Sequence, residues 1–169
     1  MKAGAWFAAL LAAVAAANWL TVTFGLVPVG FGLAVTAGTF AAGFALVARD
    51  GLQLSSQRRW LVPAAIAAGI VLSWWLAAPA VAIASALAFA AAELTDWGVF
   101  TRLRARSVPV AVVVSSLVAA PVDTVLFLSL AGFGVTLDAV VGQVLVKTGL
   151  AFIAAAYLGG WRRDVPVGV

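Results

Sequence analysis

Apolar segments long enough to cross a membrane constrain this chain more than any other feature. The first, 4–23, contains no charged residue, and five comparable segments follow it. A helix needs roughly 20 mostly apolar residues to cross a bilayer. We therefore predict one transmembrane domain over residues 1–169, with helices at about 4–23, 29–48, 60–78, 80–97, 108–130 and 138–160. The expected fold class is an all-α integral membrane protein, a six-transmembrane-helix bundle.

The overall composition supports a membrane setting rather than an aqueous one. Of the 169 residues, 65% are hydrophobic and 9% are charged, and the mean hydropathy is +1.16. Soluble domains carry about 25% charged residues. A soluble fold of this length could not bury so much apolar surface, whereas the hydrocarbon core of a bilayer accepts it.

The basic residues predict the orientation of the bundle, because cytoplasmic loops of membrane proteins carry an excess of Lys and Arg. With the N-terminus inside, the predicted helices place all but one of the 10 basic residues on the cytoplasmic side: Lys2, Arg49, Arg58, Arg59, Arg102, Arg104, Arg106, Arg162 and Arg163. The outer turns at 24–28, near 79 and at 131–137 contain none. We therefore expect a multi-pass protein of the cell (inner or cytoplasmic) membrane, N-in/C-in. The net charge of +4 then reflects topology rather than binding to nucleic acid.

The first segment also has the features of a secretory signal peptide with an Ala-rich cleavage region. Retention of this segment as the first helix agrees better with the charge pattern, because the rest of the chain is itself predicted to lie in the membrane.

Two opposite charges lie inside predicted helices at similar depth. Lys147 is nine residues from Asp138, which places it about 14 Å from the outer end of its helix. Asp123 lies about 21 Å from the inner end of the preceding helix by the same rise per residue. An unpaired charge at this depth costs at least about 2.5–3.5 kcal/mol. We expect Asp123 and Lys147 to pair, directly or through a ligand; a purely structural salt bridge is the alternative.

Two more carboxylates lie in the inner half of the fourth helix. Glu93 and Asp96 are three residues apart and share a helix face. Glu93 is deeper and must be paired, protonated or facing a water-filled cavity. Asp96 lies near the interface, where Arg102 or Arg104 could be its partner. The candidates for a cytoplasmic gate, or for topology alone, are Asp96, Arg102 and Asp50.

Amide side chains and a proline complete the set of polar features in the apolar segments. Asn18 lies deep in the first helix, and Gln143 precedes Lys147 by one turn on the same face. Both could be interhelical hydrogen-bonding residues, or could offer donors and acceptors to a planar polar ligand. Pro121, two residues before Asp123, predicts a break in the fifth helix or a kink filled by packing.

Several classes of function are disfavoured. The chain has no Cys and no His, which removes thiol chemistry, disulfides and the usual zinc or haem sites. Its carboxylates do not show metal-ligand spacing. We therefore predict a protein that is not an enzyme and that uses no metal and no cofactor. A membrane enzyme acting on a lipid and a structural or assembly factor are weaker alternatives.

Two stretches resemble a known family. ASALAFAAAELTDWGVFTRLR (84–104), followed by SSLVAAPVDTVLFLSLAGFG (115–134), is similar to the VUT family of vitamin uptake transporters, better described as queuosine precursor transporters. The positions that match the family pattern are Glu93, Asp96, Phe100, Arg102, Ser115, Asp123, Thr124, Phe127 and Lys147, with Asn18 and Asp50 also fitting. The chain departs from the pattern at 119–122, where family members often have a polar stretch, and after the second helix.

The resemblance implies import of a 7-deazapurine such as preQ0 or preQ1, a small-molecule substrate, across the lipid bilayer. A carboxylate, Glu93 or Asp123, would accept hydrogen bonds from the amino and ring N–H groups of the base. Lys147 would donate to its carbonyl, and Phe127 or Phe89 would stack on its ring. Transport would be proton-coupled, with Glu93 as the candidate carrier, or would be facilitated diffusion.

A second reading makes the chain a substrate-binding subunit of an energy-coupling-factor-type vitamin importer. Such subunits also have six helices. Small residues every four positions in the first helix would then form the docking face: Ala8, Ala12 and Ala16, or Ala9, Ala13 and Ala17. A homo-oligomer is left open by the sequence.

Overall fold

Six helices and one β-hairpin make up the part of the chain that the computed structural model describes, residues 3–56, 58, 60–103 and 108–162. In chain order the elements are α1 (Ala3–Phe24), β1 (Leu26–Gly30), β2 (Leu33–Thr36), α2 (Thr39–Ser55), α3 (Leu61–Leu76), α4 (Pro79–Leu103), α5 (Val108–Leu130) and α6 (Leu137–Arg162). The helices lie close to the expected positions, with one exception in the second.

The expected turn over 24–28 and the expected helix start at 29 are both wrong. Residues 26–36 form an antiparallel hairpin in which Leu26 pairs with Thr36 and Val27 with Val35. Pro28 has no N–H for a helix interior, and β-branched residues favour strands. Glycines with φ of 93° and 72° flank the hairpin tip at 30 and 32, so the chain reverses there and α2 begins ten residues later than expected.

One apolar core joins the first three helices. Its buried members are Trp6, Leu10, Ala13, Ala45, Ala48, Leu52, Val62 and Ala65. Glycines allow the close approach. A side chain at Gly51 of α2 would overlap the ring of Trp6, and a Cβ at Gly69 of α3 would come within 2.8 Å of Val14. We call α1, α2 and α3 the first half of the molecule.

A second, separate core joins α4 to α5, which we call the second half. Val81, Ala84 and Ala88 of α4 pack with Phe127 of α5. The Phe127 ring stacks on Phe133, in the turn after α5, with centroids 6.4 Å apart and planes 25° apart. The last helix, α6, packs against α5, α2 and β2 and so contacts both halves.

The hairpin and the α5–α6 turn lie at the same end of the bundle. A Cβ on Gly25, which precedes β1, would lie 3.9 Å from the Phe133 ring. We call this the hairpin end, where α1 and α5 finish and α6 starts. The opposite end, where α1 starts, is the N-terminal end.

The surface of the bundle is suited to lipid. Within the described residues, three helical stretches are long and apolar enough to cross a membrane, namely Ala3–Phe24, Pro79–Asp96 and Val113–Leu130, and Thr39–Arg49 and Leu61–Leu76 are shorter apolar helices. Large apolar side chains point outward from several helices, including Trp75, Leu94 and Ile153. Large exposed apolar side chains of this number are stable in a bilayer rather than in water, so the chain is a membrane protein.

Candidate functional site

An ion pair between α5 and α6 lies inside the bundle. Lys147 Nζ donates to Asp123 Oδ2 at 2.6 Å and to Thr124 Oγ1 at 3.1 Å. The predicted Asp123–Lys147 contact is therefore confirmed, and it is direct. Lys147 lies ten residues from the start of α6 and Asp123 seven from the end of α5, which is about 15 Å and about 10 Å from the hairpin end.

The two partners differ in how far they are enclosed. The Lys147 side chain is 7% exposed, whereas the Asp123 side chain is 23% exposed. A carboxylate has about four acceptor positions, and the described contacts use one of them, from Lys147. Asp123 therefore retains acceptor capacity on an accessible side, which is what a hydrogen-bonding ligand would need.

Pro121 does not break α5. The helix runs from Val108 to Leu130 with Pro121 inside it, so the first of the two alternatives, a break next to Asp123, is absent. The proline nevertheless has no N–H to donate to the carbonyl of Leu117, one turn earlier.

Two buried side-chain amides lie near the hairpin end without a partner for their nitrogen. Asn18 of α1 and Gln143 of α6 are each 1% exposed, and neither Asn18 Nδ2 nor Gln143 Nε2 has a hydrogen-bond partner. Each lies six residues from its helix terminus, which is about 9 Å from the hairpin end. A buried polar group without a partner is costly, so both amides are suited to a bound polar ligand.

The second strand of the hairpin and the residues just after it reach the two helices that carry these amides. A Cβ on Gly142, the neighbour of Gln143, would overlap the Ala34 carbonyl oxygen of β2. A Cβ on Gly38, just after β2, would overlap the carbonyl oxygen of Ala17, the neighbour of Asn18. The hairpin segment therefore contacts both of the helices that carry the unpartnered amides.

Two buried hydroxyl groups lie at the end of the second strand and at the start of α2. Thr36 and Thr39 are both buried, and their hydroxyl oxygens lie 2.9 Å apart in a hydrogen bond. Sequence reasoning missed them because it placed this segment in a membrane-spanning helix. The run of β-branched residues behind Pro28 and two closely spaced glycines is the signal that could have revealed the hairpin.

Glu93 also forms an ion pair, at a place separate from the Asp123–Lys147 pair. Arg49 Nη1 of α2 donates to Glu93 Oε1 of α4, and their side chains are 15% and 34% exposed. Glu93 lies fourteen residues from the start of α4, which is about 21 Å from the hairpin end. It is therefore farther from the hairpin end than Asp123. No described contact joins it to Asp123 or Lys147.

The sequence left the partner of Glu93 open, and Arg49 was not among the residues considered for it. Arg49 was expected in a loop, but α2 continues six residues beyond it, to Ser55. The spacing of the buried residues Ala45, Ala48 and Leu52 follows a helix face through this region, and that periodicity could have placed Arg49 inside the helix.

The remaining candidates are less closely associated with the site. Phe127 lies one turn after Asp123 on α5 and is buried in the second core, stacked on Phe133. Arg102 is exposed and donates to the Gly98 carbonyl of its own helix at 3.1 Å. Among the described residues Asp96 forms no ion pair, so the structure does not bring it together with Arg102. The Asp50 side chain, like Arg104, lies outside the described part of the structure.

These features define a class of protein: a helical membrane protein whose interior holds ion pairs and unsatisfied amides. A metal site would need three Asp or Glu side chains together, and no such group occurs among the described residues. Intramembrane charges of this kind typically mark solute pathways.

The comparison with known families agrees with this class. The family described as "Putative vitamin uptake transporter" matches residues 4–159, almost the whole chain. The chain therefore belongs to this VUT family, whose description is that of a transporter family. No curated protein and no solved structure matches the chain significantly.

Proposed function

We propose that this transporter imports a queuosine precursor, a 7-deazapurine such as preQ0 or preQ1, across the cytoplasmic membrane. The observation that carries the proposal is the set of polar groups near the hairpin end: the Asp123–Lys147 pair and the unpartnered amides of Asn18 and Gln143. The mechanism is facilitated diffusion or proton coupling, and no cofactor is required.

The proposed topology has six membrane spans with both termini in the cytoplasm, so the hairpin end faces outward. The distribution of charge supports it. The segments at the hairpin end, 24–38 and 131–137, contain no Lys or Arg, whereas Arg58 and Arg102 lie toward the N-terminal end. A solute from outside would then meet the site soon after passing the hairpin.

The recognition chemistry fits the edge of a deazaguanine, which presents N–H donors beside a carbonyl acceptor. In the proposal, Asp123 accepts from the amino and ring N–H groups, and Lys147 donates to the carbonyl. The amide nitrogens of Asn18 and Gln143 donate to the remaining acceptors of the base. Phe127 supplies an aromatic ring one turn from Asp123. Glu93 is left out of this set, because Arg49 holds its carboxylate deeper in the bundle.

The test is uptake in cells that cannot make preQ0, scored by queuosine in tRNA. Wild-type protein should restore queuosine, whereas Asp123→Ala and Lys147→Ala, expressed at the same level, should not. Asp138→Asn is the matched control, since Asp138 is an exposed carboxylate at the start of α6. Failure of the wild type with preQ0, preQ1 and queuine would exclude the substrate. Normal uptake by both alanine variants would exclude the site.

A second candidate function is that of a substrate-binding subunit in an energy-coupling-factor-type importer. The specific observation in its favour is that Ala8 and Ala12, one turn apart on α1, are both exposed, and small exposed residues allow another helix to approach closely. Co-purification with a transmembrane partner and ATPases would support this reading. Uptake by the purified chain alone in liposomes would rule it out.

A further inference from the structure

The contacts between the two halves of the molecule differ from the contacts inside each half. Each half has its own apolar core, and the core of α1–α3 shares no buried residue with the core of α4–α5. Helices α2 and α4 are not among the closely packed helix pairs of the described structure. The halves do meet where α4 packs against α3 and α1, but the Arg49–Glu93 ion pair joins them at α2 and α4, where packing is sparse.

The position of this pair relative to the candidate site is also informative. Asp123 lies about 10 Å from the hairpin end, whereas Glu93 lies about 21 Å from it. Arg49 and Glu93 are thus on the side of the site that faces the N-terminal end. A solute that moves from the hairpin end past Asp123 and Lys147 would next reach the level at which Arg49 and Glu93 bridge the halves.

The exposure of the pair bears on whether it can open. Separation of a fully buried ion pair leaves a desolvated charge and is strongly unfavourable. The Glu93 side chain is 34% exposed and that of Arg49 15%, so each charge keeps some access to polar surroundings when the contact is lost. A contact of this type can form and break, unlike the apolar packing within each half.

We propose that Arg49 and Glu93 form a latch that closes the N-terminal side of the site by holding α2 to α4, and that opens to release the solute. The inference rests on the proposed transport function but not on the identity of the solute. Arg49 and Glu93 are positioning residues in this scheme, since they act by keeping the halves together and not by binding the substrate.

Thiol labelling can test the latch without any substrate, because the chain has no Cys. A reporter, Ala119→Cys, is placed on α5 at a buried residue one turn from Asp123 toward the N-terminal end. Inside-out vesicles are treated with a charged, membrane-impermeant thiol reagent. With the latch intact, labelling should be slow. Glu93→Gln or Arg49→Gln should raise the labelling rate about 5- to 10-fold, as expected when a coupling of ordinary size is removed.

A charge swap and a second reporter make the test decisive. The double variant Arg49→Glu/Glu93→Arg should return labelling of the Ala119→Cys reporter toward the slow rate. Ala13→Cys, buried in the core of the first half, should stay unlabelled in every background. If Glu93→Gln and Arg49→Gln both leave the labelling rate unchanged, or if both reporters become equally reactive, there is no latch. If the labelling rate changes as predicted but the protein does not transport deazapurines, the substrate assignment is wrong and the latch is still supported.

Discussion

Asn18 and Gln143 carry a cost that the rest of the structure does not offset. Most buried polar groups in proteins are hydrogen-bonded, and these amide nitrogens are not. Selection for stability alone would favour apolar residues of the same shape at both positions. Their presence is accounted for if a ligand completes their hydrogen bonds during part of the transport cycle.

Substitutions at Asn18 and Gln143 should affect thermal stability and uptake differently. We expect Asn18→Leu and Gln143→Met to leave thermal stability in detergent unchanged or to raise it by up to about 1 kcal/mol, because no hydrogen bond of the amide nitrogen is lost. Uptake in the complementation assay should fall. Thermal unfolding is monitored by the intrinsic fluorescence of the seven tryptophans.

Thr124→Val is the matched comparison for the amide variants. Its hydroxyl accepts a hydrogen bond from Lys147, so this substitution should lower the melting temperature where the amide variants do not. A clear loss of stability in both Asn18→Leu and Gln143→Met would mean that the two amides are structural.

The two ion pairs show what can be predicted about single residues. Asp123 and Lys147 could be matched from the sequence, because both interrupt apolar runs and the rise per residue places them at similar depth. Arg49 and Glu93 were not matched, since Arg49 stood next to Asp50 at the end of an apolar run and looked like a loop residue. Its depth depends on where α2 starts and ends, and that is set by the hairpin.

At the scale of elements, the hairpin shows the limit of hydropathy. Residues 26–36 are apolar enough to extend a membrane helix, yet they pair as two short strands. Apolar content is the same for both structures, so the decision rests on Pro28, the tip glycines and the packing of β2 on α6. The five other helices were foreseeable because a helix satisfies the backbone hydrogen bonds of an apolar segment internally, as a bilayer requires.

Packing of β2 on α6 leads to a paired prediction for two glycines of the same helix. Gly142→Ala should lower the free energy of unfolding by about 1–3 kcal/mol, because its Cβ would overlap the Ala34 carbonyl. Gly149→Ala should be neutral or stabilising by up to about 1 kcal/mol, since nothing lies within 4 Å of its Cβ. The two variants are compared by thermal or denaturant unfolding. Equal effects would contradict the prediction and show that β2 can shift to make room for a Cβ at Gly142.

At the scale of the whole molecule, the proposed orientation in the membrane gives a labelling prediction. Phe31, at the hairpin tip, is fully exposed, and the proposed topology places it outside the cell. Phe31→Cys should therefore react with an impermeant maleimide on intact cells. Ser56→Cys, between α2 and α3, should react only after permeabilisation. The reverse pattern would invert the topology and with it the direction assigned to the latch.

The division into two cores also affects how the protein is made. Arg49 enters the membrane with the first half, while its partner Glu93 lies 44 residues further along the chain. At about 5–20 residues per second, a ribosome needs roughly 2–9 s to synthesise that interval. During this time the guanidinium must be accommodated by lipid headgroups or by the insertion machinery, which its long side chain allows. Synthesis of this protein thus includes an interval in which Arg49 is in place before its counterion Glu93, and the order of synthesis sets when this ion pair can first form.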